Sequence, residues 1–241
     1  MAPRNRKRKG LALDGILLVD KPSGWTSHDV VNFVRGRYRL AKVGHGGTLD
    51  PMATGLLVLL LGKGTQCSNA VMAGEKTYEG ELTLGITTDS QDREGEILQT
   101  RPLPPDLDRA RIEALLPEFT GEILQTPPMV SALKKDGVPL YKLAREGRTI
   151  EREARPVTIH QLEILELSPP VMGLRVRCSK GTYVRTLAHD IGEKLGCGAH
   201  LSALRRTASG SFSVNNALTV DALREMDLDA MTARLHPLLE S

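Results

Sequence analysis

One carboxylate in the chain sits where its surroundings favour chemistry. Asp50 lies in Gly44-His-Gly-Gly-Thr-Leu-Asp-Pro-Met-Ala-Thr-Gly55, directly ahead of the apolar run Leu56–Leu61. Pro51 biases Asp50 toward extended backbone, and the glycines allow tight turning and close approach to a ligand. A carboxylate on a loop anchored by a buried strand can attack as a nucleophile, stabilise a cation or take a proton. The same Asp-Pro pair also suits a plain turn. Other glycine-rich readings fail on spacing. After Gly44-His-Gly46, Leu49 stands where a dinucleotide fingerprint needs its third glycine, and Gly62-Lys63 is followed by Gly64 rather than Ser or Thr. No Gly-x-Ser-x-Gly elbow occurs.

The elements that must position this loop follow from patterning. Ile16–Val19 reads as a short strand ended by the turn Asp20-Lys-Pro-Ser-Gly24, and Ser27 as the N-cap of a helix that weakens at Gly36. Leu56–Leu61 is expected to be a fully buried strand, followed by a short helix over 65–73 and a strand over Thr77–Leu84. Residues 86–105 read as loops with at most a short strand, and Leu107–Leu116 as helical. Residues 121–147, with a Pro-Pro pair, two basic clusters and a short helix near 140–146, read as an exposed insertion. Val157–Leu167 and Gly173–Cys178 form an antiparallel pair across Ser168-Pro-Pro170. Val184, Leu187, Ala188, Ile191 and Leu195 share one stripe of a helix over 182–195 that Gly196 stops. Two short strands near 201–207 and 211–214 and a helix from Thr219 complete the chain. Strands and helices do not alternate regularly, which predicts an α+β fold with a mixed, mainly antiparallel central sheet flanked by helices.

The 241 residues suffice for one large domain with small appendages. Residues 1–10 read as a flexible basic arm, 11–215 as the main domain with its insertion at about 121–150, and 216–241 as a short helical extension. No apolar run is long enough to span a bilayer, and no signal-peptide core follows the basic N-terminus, so a soluble, cytoplasmic protein is expected. Cys67, Cys178 and Cys197 form no Cys-x-x-Cys pair and read as reduced, small semi-apolar residues, and the histidines show no His-x-x-x-His spacing, so no metal site is expected. Positive charge clusters at the N-terminal arm, at Arg35–Lys42, at Arg175–Arg185 and at Arg205-Arg206, while acids gather between Asp89 and Glu122. Such sidedness suits a polyanion, although a solvated basic surface has the same composition.

Several ordered motifs resemble the TruB family of tRNA pseudouridine synthases. Residues 44–55 resemble its signature, Gly15–Ser27 its Lys-Pro motif, Lys76-Thr-Tyr78 its second motif and Cys178-Ser-Lys-Gly-Thr-Tyr-Val-Arg185 its third. Gln125–Gly147, with Ser131-Ala-Leu-Lys134, resembles its RNA-gripping insertion, and Leu204-Arg-Arg206 sits at its late pocket residue. The resemblance spans roughly residues 14–215.

That resemblance implies a pseudouridine synthase fold with an RNA-binding insertion, and a role for each matched residue. Asp50 matches the catalytic carboxylate, Arg185 the arginine that pairs with it, and Tyr78 the tyrosine that stacks on the target base. His45 matches the histidine that enters the RNA loop and helps hold the flipped base out. Asp92 matches a second acid of the network, with a solvated loop carboxylate as the alternative. Tyr183 and Lys21 match positions that shape the site, and Leu204 matches the pocket floor, where an ordinary core leucine would look the same. The implied reaction is isomerisation of uridine to pseudouridine at position 55 in the T arm of tRNA, by a monomer needing no cofactor, no metal and no protein partner. The basic clusters at 35–42 and 134–148 and the N-terminal arm would hold phosphates, with salt-dependent affinity. Many relatives continue into a separate C-terminal RNA-binding module; 216–241 is expected to hold a helical extension rather than a full module, which argues against the guide-RNA-dependent relatives. A second reading is an RNA-binding or tRNA-folding protein whose catalysis is incidental.

Overall fold

The computed structural model describes residues 10–129, 131, 134–135, 138–139 and 150–239. In chain order the elements are β1 (Gly15–Lys21), α1 (Ser27–Arg37), β2 (Val43–His45), β3 (Thr54–Leu61), a 3-10 turn (Gly62–Cys67), α2 (Ser68–Ala73), β4 (Lys76–Leu84), β5 (Ile86–Thr88) and β6 (Ile97–Thr100). Then follow α3 (Arg109–Leu115), a second 3-10 turn (Leu116–Phe119), β7 (Gly121–Gln125), β8 (Lys134–Lys135), β9 (Val138–Pro139), β10 (Arg155–Ser168), β11 (Val171–Cys178) and α4 (Val184–Leu195). The chain ends with β12 (Ala199–Ser209), β13 (Phe212–Ser213), a 3-10 turn (Val214–Asn216), β14 (Leu218–Thr219), α5 (Val220–Glu225) and α6 (Leu228–Thr232). Residues 1–74 with 206–241 form one compact unit and 75–205 a second. The expected basic arm, except Gly10, and the helix expected near 140–146 lie outside the described residues.

In the first unit β3 pairs antiparallel with β1 from Gly55↔Lys21 to Leu61↔Gly15, and β14 joins β1 in parallel. β3 is buried on both faces, as its unbroken apolar run requires. Leu57, Leu59 and Leu61 pack with Leu17, Val19, Val30, Val31 and Val34, while Leu56, Val58 and Leu60 pack with Ile16, Leu18 and Val71. Leu218, Val220, Leu223 and Met231 of the C-terminal segment belong to the first of these clusters. The N-cap of α1 is Thr26 rather than Ser27. Thr26 and Asp29 form a reciprocal capping box, which frees the Ser27 hydroxyl for another task.

In the second unit β4, β11, β10 and β7 pair successively antiparallel. Arg175 links this sheet across three strands, bonding Glu79 at 2.8 Å on one side and Glu163 at 2.7 Å on the other. The predicted apolar stripe of α4 is buried, and Gly196 ends the helix at φ 88°. Residues 86–100 are more ordered than a loop reading allows, since β5 and β6 form a small hairpin. Gly121–Gln125, read as the start of an exposed insertion, is instead a strand paired with β10. Its alternating exposed and covered residues fit an edge strand, and their short span hides that period in the sequence. Likewise β12 is a single eleven-residue strand rather than a short one, and the chain passes between the units inside it. No helix among the described residues is long and apolar enough to cross a membrane.

Candidate active site

In the first unit Asp50 is half-buried and opens a turn in which its carbonyl accepts from Ala53 N–H at 3.1 Å. Pro51 occupies the second position, where its fixed φ suits the turn. The backbone on either side of Asp50 is held by buried side chains. The Ser27 hydroxyl accepts from Leu49 N–H at 2.8 Å and donates to Leu49 O at 3.1 Å. Lys21, 0% exposed, spends its ammonium on the carbonyls of Pro22, Trp25 and Pro51 at 2.9, 2.7 and 3.2 Å. The guanidinium of Arg206, 2% exposed, donates to the carbonyls of Leu56, Thr48 and Gly47 at 2.7, 3.3 and 3.1 Å. A reactive side chain on a loop needs this kind of bracing to keep its geometry.

Two glycines are dictated by close approach. At Gly46 an added Cβ would lie 2.3 Å from Val71 Cγ1, and at Gly55, where φ is +96°, 2.3 Å from the Arg206 carbonyl oxygen. Val71 is buried and stiff, so Gly46→Ala is expected to cost about 1–3 kcal/mol through overpacking. Urea denaturation measures this, and a change below ~0.5 kcal/mol would contradict the close packing.

His45 ends β2, and its Nδ1 accepts from Gly47 N–H at 3.3 Å, which leaves the ring proton on Nε2. Burial, then the positive charge of Arg206 and the neighbouring His28, push its pKa below the usual 6.5. The folded environment therefore favours the neutral ring. Because the folded ring gives up its proton more readily than the unfolded one, its contribution to stability is complete above 6.5 and is lost as pH falls through the depressed value. An NMR titration of the imidazole is expected to place its midpoint under 6.5. A midpoint at or above the free value would rule this electrostatic account out.

In the second unit Arg185, 3% exposed near the start of α4, lies 3.3 Å from Asp92 Oδ2 and donates to Ser90 O at 3.0 Å. Asp92, which an acid-rich loop would leave solvated, is only 4% exposed. Its Oδ1 accepts from Ser90 Oγ at 2.6 Å and Glu94 N–H at 3.0 Å. The loop itself is tied to β12 by Leu201 N–H to Gln91 O and Arg93 N–H to Leu201 O, both at 3.0 Å. Tyr78 is half-buried on β4, opposite Val176 of β11. Leu204 is buried on β12, its Cδ1 3.5 Å from where a Cβ on Gly80 would fall. Tyr183 precedes α4, with both backbone groups engaged by Gln125: its N–H donates to Oε1 at 2.7 Å and its carbonyl accepts from Nε2 at 3.1 Å. A cavity of about 290 Å³ beside it is walled by Gln125, Val157 and the cations Arg155 and Lys180.

The first unit thus gathers Lys21, His45 and Asp50, and the second joins Arg185 to Asp92 and carries Tyr78, Tyr183 and Leu204. Three residues were not singled out by sequence. Ser27 looked like a cap, Gln125 like the edge of an insertion, and Arg206 like half of a basic surface pair. The available signal for Arg206 was strand alternation, because adjacent residues of β12 face opposite sides and only one of an Arg-Arg pair can face solvent freely. Among the described residues, no three His, Cys, Asp or Glu side chains gather to hold a metal ion. Cys178 is buried, which pushes its thiol up to about 11.

With this geometry in place, comparison with known proteins gives the class first. Residues 35–184 match the family model described as TruB family pseudouridylate synthase (N terminal domain), and residues 185–240 match the one described as tRNA pseudouridylate synthase B C-terminal domain. The α+β architecture is that of a pseudouridine synthase, an isomerase. The tRNA pseudouridine synthase B of Opitutus terrae is 52% identical over 95% of this chain and 95% of its own. That of Burkholderia mallei is 50% identical over 98% of this chain and 75% of its own. The chain belongs to the TruB family. Among solved structures, a Cbf5-Nop10-Gar1 complex superposes with a TM-score of 0.72 at 32% identity over 93% of this chain, which spans 60% of that one. An archaeal box H/ACA Nop10-Cbf5 complex gives 0.70 at 28% identity, over 94% of this chain and 60% of that one.

Proposed function

We propose that this enzyme converts uridine to pseudouridine in tRNA, at position 55 in the T arm, with Asp50 as the catalytic carboxylate. The observation that carries this reading is the 52% identity to a protein named tRNA pseudouridine synthase B across 95% of both chains. The bracing of the Asp50 loop supports it chemically. The reaction breaks the N1–C1′ bond, turns the base and joins C5 to C1′, all within one nucleotide. Its carboxylate must therefore stay in place while the base rotates. Arg185, fixed by Asp92 and the Ser90 carbonyl, is the second unit's candidate for the guanidinium that the family resemblance pairs with the catalytic carboxylate. Tyr78 stacks on the base, and neutral His45 fills the space the flipped uridine vacates. Arg155 and Lys180 beside Tyr183 supply phosphate contacts, giving salt-dependent affinity.

The purified chain, with no other protein, is expected to modify a T-arm stem-loop at one uridine, read by carbodiimide treatment and primer extension. A tRNA lacking that uridine should remain unmodified. Absence of product, or product at other uridines only, would overturn the assignment.

A further inference from the structure

Arg206 is the buried cation whose environment calls for an explanation beyond solubility or RNA grip. Its side chain meets three carbonyl oxygens, those of Gly47, Thr48 and Leu56, at 3.1, 3.3 and 2.7 Å. Its own carbonyl oxygen lies where a Cβ on Gly55 would be, at 2.3 Å. One residue therefore touches both ends of the loop that carries Asp50: its backbone and Nε at the exit, its two Nη atoms at the entrance. Lysine could not reproduce this, since three donors on one tetrahedral nitrogen cannot span carbonyls that approach a planar fork. We propose that Arg206 is a positioning residue for the isomerisation, fixing through the Gly47, Thr48 and Leu56 carbonyls the placement of Asp50 and the seat of His45.

The two effects have one source. The Gly47 carbonyl is bonded to Arg206, and the Gly47 N–H is bonded to His45 Nδ1, so the same residue anchors imidazole and guanidinium. Within the unit, Arg206 and the neighbouring His28 both act to keep the ring unprotonated. Lys21 braces the loop just after Asp50 through Pro51 and Ser27 braces it just before through Leu49, so removal of Arg206 frees the Gly47, Thr48 and Leu56 carbonyls and leaves these clamps in place.

The proposal rests on Asp50 and His45 acting as assigned above, and its test separates the two ideas. Arg206→Lys keeps the charge but not the fork; Arg206→Met keeps neither. Arg206→Lys is expected to hold the His45 titration midpoint near its native value while single-turnover isomerisation of a T-arm stem-loop falls by about 100-fold, the scale of a 1 Å misplacement. RNA affinity should change only a few-fold. Arg206→Met is expected to lose rate similarly and also to raise the His45 midpoint toward the free value. Wild-type turnover in Arg206→Lys would overturn the proposal even if Arg206→Met failed to fold. A loss of RNA binding that matches the loss of rate would overturn it too, by making Arg206 part of the grip. Full activity of Asp50→Asn would sink the functional reading instead, and the His45 midpoints would still report on Arg206.

Discussion

Asparagine at position 50 is expected to leave a folded protein that binds its RNA within a few-fold of wild type and isomerises it on the order of 10⁴-fold more slowly. The fold should survive because the braces around this residue bear on backbone. Ser27 holds Leu49, Lys21 holds Pro51, and Arg206 holds Gly47 and Thr48. An amide of nearly the same shape disturbs none of those bonds. The chemistry should fail because nucleophilic attack, stabilisation of a cationic sugar and abstraction of a ribose proton all require negative charge at this position. Single-turnover rates on a T-arm stem-loop, with affinity measured in parallel, check the result. Retention of more than about a tenth of the rate would remove Asp50 from the mechanism. The same variant separates catalysis from RNA folding. If it restores every cellular effect of the wild-type protein, the binding role is the primary one.

The parts of this molecule that the sequence made legible are those set by local period or a compact motif. The run 56–61 must be buried on both faces, because no alternation offers water a side, and β3 is so buried. The α4 stripe and its terminal Gly196 follow from helical spacing alone. Asp50 stood out because its glycines and proline are contiguous with it. Side chains whose partners lie far along the chain were invisible. Ser27 acts on Leu49, Gln125 on Tyr183 and Arg206 on Gly47. Each is an ordinary polar residue until folding brings a backbone amide or carbonyl against it. Asp92 shows the same limit from the other direction. An acid among acids is expected to be solvated, and only the approach of Arg185 and Ser90 makes its burial tolerable.

That buried pair carries the largest expected effect on stability. Arg185→Met leaves the Asp92 carboxylate with Ser90 Oγ and Glu94 N–H but without this cation. Asp92→Leu leaves the Arg185 guanidinium with the Ser90 carbonyl but without this carboxylate, and takes the acceptor from Ser90 Oγ and Glu94 N–H. Each single replacement is expected to cost about 3–5 kcal/mol, since a buried charge that loses its ionic partner keeps its desolvation cost with less to offset it. The double variant Arg185→Met/Asp92→Leu removes both charges, so it should be more stable than the sum of the two losses and close to the better single variant or above it. Asp92→Asn is a subtler case. Its amide must turn an NH₂ toward either the Arg185 guanidinium or the Glu94 N–H, opposing a donor in both orientations, so it should approach the cost of Asp92→Leu although its size is unchanged. Urea denaturation of the four proteins gives the coupling energy directly. Additive losses would mean that the two side chains stabilise the unit independently, and the ion pair would then be a consequence of the packing of α4 against the 88–95 loop rather than a cause of it.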